Sequence, residues 1–430
     1  MPKKLLILLI PLVFLCSCKK DSDTEFPEIS ITDPYENQVF SVSDTIGVVA
    51  SVSDNKNLDY VSVRIVNNEM AAVSAVRTFE PGDKTMNIAL DMVVEDQLIP
   101  SGDYYIHITA SDGENVTNEY KKINIHELEK RLRFVLVLTK NGADIAVNKI
   151  DSLGHVTQVK VLTSDYCGSA VSSDLQQFYI AGRYTGDVSV FNVNNWQLQW
   201  SVPVIVSTPF PYFEYLDVHN NRLYVSYREG LFKIFNETGG ITALRVIENG
   251  EYPLEFLPVN DYLLTYEVSP DGMQRHVVAY FLPSFTIFRK IPVTYDVLKI
   301  FPCNNDECLL FCNNSGVGNV KMFSFLSGDI SSRYTFNDGE FAGITAMSPV
   351  QYLVSSGNNI WNFGYDYKGF ISWSAAQLPG SLVYDGTEEC YYYSENYLSV
   401  VKKHFLPLQT VATYNFQDTV INILPVYNRD

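Results

Sequence analysis

Short runs of alternating apolar and polar residues fill the chain from about Arg133 to Val426, and they recur at a steady interval. Runs opening at Val156, Leu198, Ile241, Ile287, Ile330, Ile371 and Val411 each follow a tight turn, at spacings of 42, 43, 46, 43, 41 and 40 residues. Another strand-like run and its turn precede these anchors, as in DVSVFNVNNWQL (Asp187–Leu198), GLFKIFNETGGI (Gly230–Ile241) and VKMFSFLSGDI (Val320–Ile330). Ahead of those lie QFYIAGR (Gln177–Arg183), RLYVSYR (Arg222–Arg228) and ECLLFC (Glu307–Cys312). Two-residue alternation bounded by Asn, Asp and Gly selects strands over helices. A period of about forty residues built from four short strands predicts a β-propeller. Seven repeats predict seven blades over residues 132–430. The innermost strand of each blade reads as the least polar: GSAVSS (Gly168–Ser173), YLDV (Tyr215–Val218) and GITAMS (Gly343–Ser348).

The first repeat lacks its inner strand. FVLVLTK (Phe134–Lys140) is preceded by the charged HELEKR (His126–Arg131), which reads as a linker. A surplus run, VINILPV (Val420–Val426), follows the last strand of the seventh repeat, VATYNF (Val411–Phe416). Pairing this C-terminal strand into the first blade would close the ring and leave no open sheet edge.

Residues 26–126 follow a different rhythm. PEISITDP (Pro27–Pro34), DTIGVVASVSDN (Asp44–Asn55), LDYVSVRIVN (Leu58–Asn67), TMNIALDMVV (Thr85–Val94), GDYYIHITASDG (Gly102–Gly113) and YKKINIH (Tyr120–His126) are alternating runs. Strands at this density over about a hundred residues predict a β-sandwich. The phrases PEISITDP, VSD and GDYYIHITASDG resemble bacterial immunoglobulin-like and fibronectin-like modules, which implies a spacer rather than an activity. Asp54 and Asp112 resemble cadherin-type calcium ligands, but no dense acidic run surrounds them, so they are read as turn residues.

At the N-terminus, Lys3 and Lys4 precede the apolar run Leu5–Leu15, a secretory segment too short to span a bilayer. Leu15-Cys16-Ser17-Cys18 resembles a bacterial lipobox, which implies a signal peptide over 1–17, lipid on Cys18 and a tether over 18–25. Lys19-Lys20-Asp21-Ser22-Asp23 resembles, in part, the acidic sorting signal of Bacteroidota lipoproteins. It implies an outer-membrane protein facing the cell surface, with a periplasmic lipoprotein as the alternative. Without Lys3 and Lys4 the net charge is −20, from 29 Lys and Arg against 49 Asp and Glu. That balance disfavours nucleic acid, whose binding rests on Lys and Arg, and leaves membrane contact to the lipid anchor.

Catalytic spacing is absent: there is no HExxH, P-loop, GxSxG or GxGxxG following a strand, and the six His are scattered singly. No cofactor and no metal are expected. Cys303 and Cys308 flank a four-residue turn and are either a disulfide or buried free thiols, and a zinc site with Cys312 lacks a fourth ligand. Asp-Ser/Thr-apolar triplets at Asp44, Asp151 and Asp418 resemble an O-glycosylation motif of exported Bacteroidota proteins.

The propeller loops are rich in Tyr, Phe and carboxylates, above all STPFPYFEY (Ser207–Tyr215). Flat aromatic faces beside carboxylates suit sugar rings. The candidate ligand contacts are Tyr166, Tyr184, Phe210, Tyr212, Phe213, Tyr252 and Tyr295. Lines such as FYIAGRYTGDVSVFNV and LYVSYREGLFKIFN resemble the broad YVTN and quinoprotein-like propellers. Neither repeating tryptophan-docking motifs nor a GH…WD signature is present, so that resemblance implies fold and not function. The expectation is an envelope binding protein for a glycan or protein ligand, with a polysaccharide lyase or hydrolase built from propeller loops as the alternative.

Overall fold

The computed structural model describes residues 23–429, apart from 95–98, 206–209, 305, 366–370, 376–378 and 406–407. Cys18 and the lipobox therefore lie outside the described residues. The chain divides into two compact units, residues 1–129 and 130–428. Among the described residues the structure is all-β, with one 3₁₀ turn at Glu248–Gly250, and no helix is long and apolar enough to cross a membrane.

The first unit is a two-sheet sandwich. Glu28–Asp33, Ile46–Ser53 and Thr85–Met92 form one sheet. Gln38–Ser41, Val116–His126, Gly102–Ser111, Tyr60–Val66 and Arg77–Phe79 form the other. Alternation decides what is buried: Ile46, Val48, Ala50 and Val52 point inward from one sheet and meet Val61, Val63, Ile106 and Ile108 from the other in a single core. The charged link is shorter than HELEKR implies. The last sandwich strand runs through His126 and the next strand starts at Lys130.

In the second unit the described residues form seven four-stranded sheets. Six of them are consecutive up-and-down meanders. Sheet 3, for example, runs Phe213–His219, Arg222–Tyr227, Leu231–Phe235 and Ile241–Val246. Sheet 2 starts at Gly168–Ser172, sheet 4 at Tyr252–Val259, sheet 5 at Asp296–Pro302, sheet 6 at Phe341–Ser348 and sheet 7 at Leu382–Asp385. First strands touch one another between sheets 2 and 3, 3 and 4, 4 and 5, and 6 and 7, which turns these sheets about a common axis. Sheet 1 takes its strands Lys130–Asn141, Asp144–Asp151 and Val156–Thr163 from the start of the unit and its innermost strand, Thr419–Arg429, from the end. This arrangement is a β-propeller.

The periodic anchors of the sequence fall at the first or second residue of the outermost strand of each sheet. Leu198 and Ile241 are each 55% exposed there, because an edge strand packs on one side only. The apolar mass lies between sheets. Leu223, Val225 and Tyr227 face sheet 2, whereas Tyr224, Phe232 and Ile234 face sheet 4.

The same alternation separates the cysteines. Cys303 packs with Leu309 and Phe311 toward sheet 6, while Cys308 and Cys312 pack with Leu310 toward sheet 4. Cys303 and Cys308 are not bonded in this structure; the five described cysteines are free thiols. The inner strands, read from sequence as the least polar, nevertheless carry Asp217, Glu255 and Lys299 on three of them.

Candidate binding site

The site begins with Asp165, in the link between sheets 1 and 2. Its carboxylate accepts the backbone N–H groups of Arg183 (3.0 Å), Thr185 (3.1 Å) and Gly186 (3.0 Å), and also that of Tyr184. Burial pushes this carboxyl up, but the ring of N–H donors outweighs it and holds the pKa below the usual value. The Arg183–Asp187 turn is thereby fixed, and it aims Arg183 at the neighbouring sheet.

Glu214 receives it. Arg183 Nη2 lies 2.8 Å from one carboxylate oxygen of Glu214, and Arg228 Nη1 lies 2.7 Å from the other. The Glu214 side chain is 1% exposed, so two charge-assisted hydrogen bonds neutralise a carboxylate that would be costly to bury alone. Arg228 also stacks 4.6 Å from the Tyr252 ring centroid and donates to the Tyr252 hydroxyl and the Pro270 carbonyl. The Arg228-Glu229-Gly230 turn depends on its glycine: φ is +80°, and a Cβ would sit 2.5 Å from Gly250 Cα.

On this framework sits a cavity of about 370 Å³ lined by Phe210, Pro211, Tyr212, Arg228, Glu229 and Pro270. Phe210 is 63% exposed at its wall. Tyr212 forms the floor, its ring edge-on to Phe213 (4.7 Å) and Tyr227 (5.5 Å). The structure thus gathers Phe210, Tyr212 and Tyr252 around Arg228, and Tyr184 stands exposed on the Asp165-held turn.

Three other candidates go elsewhere. Phe213 is fully buried in the core between sheets 2 and 3 and is not a ligand contact. Tyr295 is buried between sheets 4 and 5, with Lys321 4.8 Å from its ring. Tyr166 packs between sheets 1 and 2 and hydrogen-bonds Ser169 Oγ at 2.9 Å, and burial pushes its hydroxyl up to about 12. Residues 207–209 of the aromatic loop lie outside the described residues. Glu214, Arg183, Arg228 and Pro270 were not singled out from sequence as contacts. The one local signal is a carboxylate inside the aromatic run PYFEY.

A second cluster lies on the axis. Lys299 Nζ, from sheet 5, lies 3.0 Å from Tyr215 Oη and 3.1 Å from Asp217 Oδ2 of sheet 3, and 3.0 Å from Glu255 Oε1 of sheet 4. The Tyr215 hydroxyl also lies 2.6 Å from Glu255 Oε2. Burial pushes the Glu255 carboxyl up to about 7, against the pull of Lys299. For Asp217 the burial effect is outweighed by Lys299, and its pKa falls. The lysine is held protonated despite burial by the carboxylates around it.

Two further carboxylates are buried, Glu267 on a strand of sheet 4 and Glu251 just before its first strand. Glu267 accepts the hydroxyls of Tyr280 (2.6 Å) and Thr265 (2.9 Å), both on Oε1, and burial pushes it up to about 7. Glu251 lies 2.9 Å from His276 Nδ1 and 3.0 Å from Lys290 Nζ. His276, an isolated histidine in the sequence, is thus a hydrogen-bond partner of a buried carboxylate.

No family model and no curated protein matches the chain. Among solved structures, it is similar to a chain of a nidogen/laminin complex at 10% identity and a TM-score of 0.42, covering 69% of this chain and 98% of that one. It is also similar to the RRP9 WD40 repeats at 10% identity and a TM-score of 0.49, covering 69% and 89%. At these levels neither carries an argument about ligand or partner, and the propeller rests on the strand pairing of this chain.

Proposed function

We propose that this chain is a cell-envelope lipoprotein whose propeller is a non-catalytic binding module for a carbohydrate ligand. In this reading Cys18 carries the lipid, an immunoglobulin-like sandwich serves as spacer, and the seven sheets are the blades of one closed ring. The observation that carries the binding assignment is the cavity beside sheets 3 and 4, with an exposed Phe210 at its wall and Arg228 and Glu229 at its edge. A sugar ring would lay its C–H face on the aromatic and proline surfaces. Its hydroxyls would bond Glu229 and the guanidinium edge. Arg228 is already paired with Glu214, which suits a neutral ligand better than an anion.

The test is affinity electrophoresis of the mature protein in gels carrying a panel of polysaccharides, with product release followed in parallel. Retention that is lost in Phe210→Ala, with an unchanged melting temperature, supports the reading. Silence across the panel removes the carbohydrate assignment and turns the search to a protein ligand. A Cys18→Ser variant recovered in the soluble fraction instead of the membrane supports the anchor; unchanged membrane association sinks it.

One observation favours a catalytic alternative. Glu255, pushed up to about 7 beside Tyr215 and Lys299, has the partly protonated character a general acid needs at neutral pH. Product release abolished by Glu255→Gln and retained in Phe210→Ala would establish that alternative.

A further inference from the structure

The sandwich unit brings together what the sequence spreads over ninety residues. Asp23 precedes the strand Glu28–Asp33, whose Glu28 pairs with Ser53, so it arrives beside Asp54 at the end of Ile46–Ser53. Asp112 follows Gly102–Ser111, and the Asp59 N–H to Ser111 carbonyl bond (2.7 Å) ties that turn to the same end of the sandwich. One carboxylate oxygen from each of Asp23, Asp54 and Asp112 lies within 4.8 Å of the others.

The oxygens divide into two kinds. Asp54 Oδ2 accepts the Lys56 N–H at 2.8 Å, Asp112 Oδ1 accepts the Glu114 N–H at 2.7 Å, and Asp23 Oδ1 accepts the Glu25 N–H at 3.1 Å. These bonds fix the loops. Among the described residues, Asp54 Oδ1 is shielded from solvent without a hydrogen-bond partner, whereas Asp23 Oδ2, on a side chain only 4% exposed, meets only the Lys56 ammonium. An orphaned buried carboxylate oxygen calls for a cation. Lys56 supplies part of one: its Nζ is 3.3 Å from Asp23 Oδ2 and 3.3 Å from Glu114 Oε2. One ammonium set against the carboxylates of Asp23, Asp54, Asp112 and Glu114 still leaves an excess of three negative charges.

We propose that Asp23, Asp54 and Asp112 form a calcium site, with Lys56, itself 42% exposed, swinging out when the ion enters. The spacing suits calcium. Oxygens at about 2.3–2.6 Å from one ion lie at most about 5 Å apart, and calcium accepts irregular sets of six to eight oxygens completed by water. Magnesium demands a tighter octahedron than three separate loops provide. Because Asp23 stands where the N-terminal segment enters the sandwich, the ion would pin that segment to the body of the unit.

The experiment uses the full mature chain freed of metal by chelation. Calcium chloride is titrated by calorimetry and thermal unfolding is followed with and without the ion. The expected result is saturable binding with a Kd of about 1 mM or tighter, as in extracellular modules, and a raised unfolding temperature. Asp54→Asn with Asp112→Asn keeps the oxygens that accept the turn N–H bonds and is expected to weaken binding about tenfold or more. Lys56→Met, which removes the competing ammonium, is expected to tighten it. Absence of binding up to about 10 mM calcium, or equal binding by wild type and the double Asn variant, would overturn the proposal. Magnesium binding as tight as calcium would overturn the choice of ion.

Discussion

Single buried carboxyls set the pH response of this molecule. Glu255 and Glu267 are both pushed up to about 7 by burial, far above the 4.5 of a free glutamate. In the window from about 4.5 to 7 the folded state holds protons the unfolded state has lost, so stability falls as pH rises through it and levels off above. One isolated group shifted this far contributes on the order of 3 kcal/mol as an upper value. Glu267→Gln isolates the effect, because a glutamine oxygen can still accept from Tyr280 and Thr265. The variant should match wild type near pH 5, exceed it near pH 8 and show a shallower slope between. Melting curves at both pH values check this, and parallel slopes would contradict it. The binding site is equally a matter of single residues. Phe213→Ala empties a fully buried position and should cost about 3–5 kcal/mol in urea unfolding. Phe210→Ala removes an exposed ring and should change stability by less than about 0.5 kcal/mol.

At the scale of strands and sheets, alternation was readable and register was not. The runs at Leu198, Ile241 and Val411 mark true strands because their period of two and their turns are local properties. Their place on the exposed outer edge is a tertiary fact. The charged axis cluster shows the same boundary: Tyr215, Asp217, Glu255 and Lys299 come from three strands separated by up to 84 positions, and only the pairing of those strands says which side chains turn inward. Of the aromatic loop, Phe210 and Tyr212 line the cavity, while Phe213, which opens the strand Phe213–His219, is fully buried; Tyr212 joins the same core cluster from the loop side, a placement set by tertiary packing. Cys303 and Cys308 are the clearest case. Their sequence spacing allows a bridge across a hairpin, yet they pack on opposite sides of sheet 5. Burial pushes the Cys303 thiol up to about 11 and Cys308 further, so both are also poor nucleophiles. Native protein should therefore react slowly with a thiol reagent, and denatured protein should be alkylated at both residues without reductant. A mass unchanged at this pair until reductant is added would restore the disulfide.

For the whole molecule, the decisive element is the last strand. Thr419–Arg429 is contributed from the end of the chain to a sheet built at its beginning. Val420 and Ile423 pack with Cys390, Tyr392 and Val400 of sheet 7, while Val426 packs with Phe178 and Ile180 of sheet 2. Polar ties run the same way: Asn422 Nδ2 donates to Ser169 Oγ at 3.0 Å, and Gln176 Nε2 donates to the Tyr427 carbonyl at 2.7 Å. Removing the strand would uncover two apolar clusters and a full sheet edge together, and such edges seek other chains. Deletion of Thr419–Asp430 should therefore abolish the cooperative unfolding of residues 130–428 and promote aggregation. The sandwich keeps its own core, assembled wholly from residues before Lys130, and its unfolding transition should survive the deletion. Scanning calorimetry distinguishes the two. Loss of one transition with retention of the other is the outcome this architecture requires. An unchanged profile would mean that the ring does not depend on the union of its ends, and the closed arrangement would have to be given up.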